Sequence, residues 1–324
     1  MQSLVRVLAA TFALLWIASA AAQQQAYPTK PIRFIVTFPP GGSSDLIARA
    51  MAPVLSERLR QPVVVENRPG AGGNIGIEAV AKSAPDGYTM GLGAAGALAA
   101  NVSLYPKMPY DPLKDLAPVS NVAFVPFFII ANPSVQANTL EDLIALARAK
   151  PGELLWGYGG NGTAMHLSGE LFKLMAKVQM VNVPYKGSGP AAVDTVSGQL
   201  PLAVVDVASA LAQVKAGRLK AMAVTSAKRI SAAPEVPTVA EAGLPGYDAT
   251  GWFGVVMPAG TPANVVGRMN AELVAALKRL EIRDRVLAAG AEPSPSTPEE
   301  FGALIRAEID KWAEVVKLSG ARID

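Results

Sequence analysis

The chain is 324 residues long, has no cysteine and a single histidine, and sets 29 lysines and arginines against 26 aspartates and glutamates, a net charge of +3. Without cysteine it forms no disulfide, carries no lipid-modified N-terminal cysteine and offers no thiolate to a metal, and a zinc site or Ser-His-Asp triad would depend wholly on His166. The positive excess is small and scattered, with no basic run interleaved with aromatics, which argues against nucleic acid as a partner and at most favours acidic small ligands.

The N-terminus places Arg6 before an apolar run over 7–22 that ends in Ala20-Ala21-Ala22, ahead of Gln23. This reads as a secretory signal peptide over 1–22, cleaved near Ala22, and the run is too short for a comfortable membrane span. The mature chain is expected to be periplasmic and not inserted in the membrane. About 300 mature residues exceed what one core usually serves, so two domains are expected.

An apolar strand over 32–36 leads into Phe38-Pro39-Pro40-Gly41-Gly42-Ser43-Ser44-Asp45 and then a helical pattern from Leu46. The prolines stop the strand, Gly41 and Gly42 permit a tight turn, and Ser43, Ser44 or Asp45 is expected to cap the helix. Such a turn aims backbone N–H groups and the positive end of a helix dipole at one spot. It is either half of an anion-binding cleft or a plain capped turn. A second strand over 62–67, the glycine-rich turn over 68–74, a helix and a third strand from Tyr88 follow, an alternation that predicts a parallel sheet with ligands at the carboxyl ends of its strands.

Residues 91–96 match the GxGxxG dinucleotide pattern. They do not open the first strand-to-helix turn, and no acidic residue ends a strand about 20 positions later, so a dinucleotide site is rejected. Gly93 and Ala94 are instead candidates for close backbone approach to a ligand or a helix.

A nearly continuous strand pattern over 116–133 is expected to make the first crossing between domains. Helices over 140–150, 165–176, 191–197 and 208–215 then alternate with strands over 154–158, 181–185, 200–205 and 219–225. The loop over 226–251 is expected to carry the return crossing, 252–257 to rejoin the first sheet, and amphipathic helices over 262–280 and 298–319 to close the chain. Two further turns mirror the opening one. The first runs from Gly157 through Tyr158, Gly160, Asn161, Gly162 and Thr163 to His166; the second holds Lys186 before Pro190. His166 is either a structural histidine or a ligand contact, and Lys186 either an exposed loop charge or part of the site. Asp206, at a strand end, either looks into the cleft or caps the helix that follows.

The stretches YPTKPIRFIVTFPPGGSSDLIAR, VVVENRPGAGGNIG, KSAPDGYT, LYPKMPYDPLKD, HLSGELF, VPYKGSGPA, AVTSAKR, PEVPTVAEAGLPGY and PAGTP span essentially the whole mature chain. Together they resemble the Bug family of extracytoplasmic solute-binding proteins, the TctC-like receptors of tripartite tricarboxylate transporters. The resemblance implies an α/β, two-domain fold of the type II periplasmic binding (Venus flytrap) class, each domain a mixed, mostly parallel sheet flanked by helices. Domain 1 is expected over 23–124 plus 248–324 and domain 2 over 125–247, with hinges near Val125 and Ser226.

The resemblance further implies a binding protein without catalytic residues, cofactor or metal, which delivers a small carboxylate to membrane transporter subunits. It places the carboxylate among backbone groups and bridging waters of Pro40, Gly41, Gly42, Ser43 and Asp45 on one side and Gly160, Asn161, Gly162 and Thr163 on the other, with Asp206 nearby. Two departures bear on the ligand. Tyr158 stands where the family often has serine, and the run 94–98 (Ala-Ala-Gly-Ala-Leu) stands where Ser, Thr or His is frequent. An apolar distal pocket is expected, suited to a monocarboxylate with an aromatic or aliphatic body better than to citrate. A sensor feeding a signalling partner would use the same closure. A hydrolase would need a nucleophile elbow or paired acids that the sequence does not show.

Overall fold

The structure is a computed structural model and describes residues 27–323; the expected signal peptide lies outside the described residues. Two mixed sheets, each flanked by helices, form two lobes. The first sheet has strand order β11 (Glu292–Pro293), β4 (Leu116–Val125), β10 (Gly251–Pro258), β3 (Thr89–Ala94), β1 (Ile32–Val36), β2 (Val63–Asn67), and the second β7 (Val181–Pro184), β6 (Leu155–Tyr158), β8 (Leu202–Asp206), β5 (Phe127–Ala131), β9 (Lys220–Val224).

In the first lobe β1 (Ile32–Val36), β2 (Val63–Asn67) and β3 (Thr89–Ala94) run parallel. They are linked through α1 (Ser43–Leu59) and α2 (Asn74–Ala81). After β3 a wide helical turn over Gly96–Ala100 runs into α3 (Asn101–Leu104). β4 (Leu116–Val125) then runs to the edge of the second lobe. The strand expected to be nearly continuous breaks at Pro126, which has no N–H for the ladder, and β5 (Phe127–Ala131) starts the second sheet.

The second lobe alternates α4 (Leu140–Ala149), β6 (Leu155–Tyr158), α5 (Ala164–Ala176), β7 (Val181–Pro184), α6 (Ser188–Ser197), β8 (Leu202–Asp206), α7 (Val207–Lys215) and β9 (Lys220–Val224). The chain returns beside its outward path. Thr225 N–H donates to Phe127 O (2.9 Å), Ala249 N–H donates to Thr225 O (3.0 Å), and Gly251 opens β10 (Gly251–Pro258) opposite Val125.

Both sheets are mixed as expected, but parallel pairing does not predominate, because the crossing strands β4, β5 and β10 all pair antiparallel with their neighbours. The helix expected over 262–280 is α8 (Ala263–Leu277), and a further helix outside that expectation, α9 (Leu280–Ala288), follows it. The chain turns at Arg279, whose backbone is extended, and this turn delivers Ile282 and Val286 to the core beside α1.

After the short β11 (Glu292–Pro293), α10 (Pro298–Ser319) opens with a capping box. Thr297 Oγ1 accepts from Glu300 N–H, and the Glu300 carboxylate accepts from Thr297 N–H (2.9 Å). This helix packs on β4 and also on α5 of the other lobe. Its buried Glu308 accepts hydrogen bonds from the Nε1–H groups of Trp312 (2.8 Å) and Trp252 (3.2 Å), so two large indoles are buried with their polar edges satisfied.

Candidate functional site

The carboxyl ends of β1, β3 and β8 open onto a cavity of about 290 Å³ between the lobes. Four helices begin at its wall. Gly42, Ser43 and Ser44 come from the start of α1, Thr163, Ala164 and Met165 from α5, Gly187 and Ser188 from α6, and Asp206 with Ser209 from α7. The first N–H groups of any helix lack partners within it and carry the positive end of its dipole.

The sequence around these starts leaves the donors available. Gly42, not a serine or Asp45, is the N-cap of α1, and no side chain caps it. α6 begins after Gly187, whose φ of 113° is open to glycine, again without a side-chain cap. Asp206 is the N-cap of α7, but its side chain makes no capping bond. Only α5 is capped, by Thr163 Oγ1, which accepts from His166 N–H (3.3 Å) while donating to Gly160 O (2.7 Å).

Of the residues singled out from sequence, Pro40, Gly41, Gly42, Ser43, Ala94, Thr163, Lys186 and Asp206 line this cavity. Asp45 lies behind it. Its buried carboxylate accepts from Gly41 N–H (2.9 Å), Arg49 Nε (2.9 Å) and Asn67 Nδ2 (2.8 Å), and so holds the turn in place. Burial pushes its pKa up, but these donors outweigh it and leave the group below the usual carboxylate range.

Tyr158 also acts from behind. Its hydroxyl donates to Asn161 Oδ1 (2.7 Å) and its ring stacks on His166 at 4.8 Å. His166 is buried, with Nε2 3.6 Å from Glu170, and burial lowers its pKa, which favours the neutral imidazole. Gly93 packs against Leu98, and neither it nor Gly160, Asn161 or Gly162 lines the cavity.

Gly162 has a different position: it touches the first lobe. A Cβ on Gly96 would lie 2.2 Å from Gly162 O, and one on Gly72 would lie 2.7 Å from the same atom. Beside this contact, buried Asn101 donates to Asn74 Oδ1 (2.8 Å). The glycines let the two backbones meet.

Sequence reasoning missed Phe127, Trp252 and Phe253 of the aromatic wall; Phe38 and Ser188 lie in turns that it singled out but without a contact of their own. Phe127 opens β5 and Phe253 is the third residue of β10, at the starts of strands that follow the crossings between lobes. That position marks them only once the crossing is known. The apolar character expected from 94–98 comes instead mainly from these rings, since Ala95, Ala97 and Leu98 are buried in the first lobe's core.

Two α/β lobes whose helix starts converge on a small interlobe cavity define a solute-binding protein of the periplasmic type. Comparison with known proteins agrees with that class. The signature of the family described as "Tripartite tricarboxylate transporter family receptor" (TctC) matches residues 47–321. BugT of Bordetella pertussis is 42% identical over 92% of this chain and 91% of its own. Among solved structures, Rpa4515 of R. palustris with adipate superposes with a TM-score of 0.85 at 38% identity, covering 92% of this chain and all (100%) of that one. MatC of Rhodopseudomonas palustris with bound malate gives 0.82 at 32% identity, over 90% of this chain and 100% of its own. The chain belongs to the TctC receptor family. It is a binding protein and not an enzyme, and none of its described helices is long and apolar enough to cross a membrane.

Proposed function

We propose that this protein captures an organic acid between its lobes in the periplasm and delivers it to the membrane subunits of a tripartite tricarboxylate-type transporter. The observation that carries the reading is the convergence of four helix N-termini, one from the first lobe and three from the second, on a single cavity. An anion there satisfies donors from both lobes at once, so its binding free energy favours the closed arrangement over the open one. The moving bodies are 23–124 plus 248–324 and 125–247, and the hinges are the crossings near Val125 and at residues 249–251; Ser226, expected as the second hinge, lies within the second lobe. Export follows cleavage near Ala22.

The wall restricts the rest of the ligand. Phe38, Phe127, Trp252, Phe253 and Ala94 offer dispersion contacts and few hydrogen bonds. A second or third carboxylate pressed against them would lose hydration without compensation. An acid with an aliphatic or aromatic body fits better than citrate; the adipate-bound relative takes an acid with an aliphatic body but with a second carboxylate, which the aromatic wall here does not match.

Thermal denaturation of the mature protein, refolded to remove carried-over ligand, tests this against hexanoate, benzoate, adipate, malate and citrate with their matched amides. A ligand that binds only the native state raises the midpoint. A rise with an acid and none with its amide supports the reading; equal rises with both overturn it. Delivery is tested by uptake of the identified acid into cells with and without the transporter genes.

A further inference from the structure

The cavity lining carries two ionisable side chains, Lys186 at the exposed rim and the half-buried Asp206. An N-cap aspartate ordinarily accepts from an N–H two or three residues ahead. Asp206 does not. It lines the cavity together with Ser188, in its own lobe, and Ser43, across the cleft at the start of α1. The Ser188 hydroxyl also accepts from Asp206 N–H (3.1 Å), which fixes the residue against the start of α6. The carboxyl therefore occupies the same space into which α1 and α6 turn their free N–H groups.

Among the described residues no cation is ion-paired with it. Lys186 lies exposed on the loop before α6. The Asp45 carboxylate, one turn into α1, is engaged by Arg49, Asn67 and Gly41 N–H. β5 places Phe127 opposite Asp206, β10 contributes Trp252 and Phe253, and His166 on α5 is turned to Tyr158 and Glu170. Burial already raises the Asp206 pKa against the pull of the Ser188 and Ser43 hydroxyls.

In the free protein the positive ends of the helix starts oppose the effect of burial, which on balance leaves the pKa raised. An arriving carboxylate takes over those donors and brings a second negative charge into the same confined space. Two carboxylates that share a site do not both stay ionised. We propose that Asp206 takes up one proton from solvent as a carboxylate ligand binds and, as a carboxylic acid, donates a hydrogen bond to that ligand. This rests on the reading of the cavity as a carboxylate site. Its consequence is a receptor that captures an acid anion together with a proton, and therefore binds more tightly as the medium acidifies.

Isothermal titration of the refolded mature protein with hexanoate, benzoate and adipate, in pairs of buffers that differ in ionisation enthalpy, counts the protons exchanged. Near pH 7.5 we expect uptake of about one proton per ligand, shrinking toward zero on acidification, with Kd rising about tenfold per pH unit across the linked window. Asp206→Asn, a neutral isostere, should abolish the uptake and flatten Kd against pH. Binding without proton uptake anywhere from about pH 5.5 to about pH 8.5 overturns the inference, and that wild-type result needs no variant. Uptake that persists in Asp206→Asn also overturns it, because the proton then sits on another group. If none of the acids binds, the carboxylate reading itself fails.

Discussion

Replacing Gly96 by alanine adds one methyl group where the two lobes touch. That methyl would stand 2.2 Å from Gly162 O, and the obstacle is backbone, so the lobes themselves must separate or shift. Gly96 sits in a helical turn with ordinary backbone angles. Alanine there is unstrained and gains up to about 1 kcal/mol of helix propensity over glycine. If the lobes part at this contact on opening, as the proposed closure requires, the penalty belongs to the closed arrangement alone. Overpacking of this kind costs roughly 1–3 kcal/mol, which weakens binding about 5- to 150-fold if closure and capture are one equilibrium.

Titration calorimetry with the acid found in the thermal panel measures the affinity. Small-angle scattering of the free and saturated protein measures closure, and the melting midpoint of the free protein serves as the control. The expected result is a weaker Kd, reduced compaction at saturation and an unchanged or higher free-protein midpoint. Unchanged affinity, or a free-protein midpoint that falls as far as the liganded one, refutes the reasoning. Gly72 and Gly162 are poorer sites for the test, because their φ of 63° and 72° would strain alanine in every state.

Ala94→Ser places a hydroxyl in the apolar wall and is expected to shift preference toward hydroxy acids by about 0.5–1.5 kcal/mol, read as the ratio of malate to hexanoate affinities. Glu308→Ala removes the shared acceptor of two buried indoles; urea denaturation should show a loss of about 1–3 kcal/mol for each N–H left unpaired. The pKa of His166 is lowered by burial, with Lys173 adding to the effect and Glu170 opposing it. The stability this residue contributes is therefore fully present above its unfolded value of about 6.5 and is lost as pH falls from there toward the folded value. The melting midpoint of the wild type should fall more steeply than that of His166→Phe between about pH 7 and pH 5.

Local chemistry made the backbone part of the site legible. Proline and glycine at 39–42, glycine at 187 and the strand-to-helix alternation all act within a few residues, so their effect can be read without knowing what lies across the cleft. The same reading erred on the cap of α1, since it looked for a side-chain cap and found serines, whereas Gly42 fills the position and leaves the donors free. Tyr158 and His166 were visible as unusual residues in a glycine-rich turn, but whether they faced the cavity depended on side-chain direction. They stack on each other behind the loop. The aromatic wall and the Gly96–Gly162 contact join residues far apart in the chain, and no local pattern announces such a juxtaposition.

The convergence of helix starts has a consequence for how binding proteins of this form can diversify. A donor that belongs to the main chain cannot be deleted by changing a codon, short of introducing proline. The grip on an acid group is thus insulated from point substitution, while Ala94, Phe127 and Phe253, which shape the space beyond it, can be changed singly. Variation in such a chain is free to trade one organic acid for another and has few routes to giving up acids altogether.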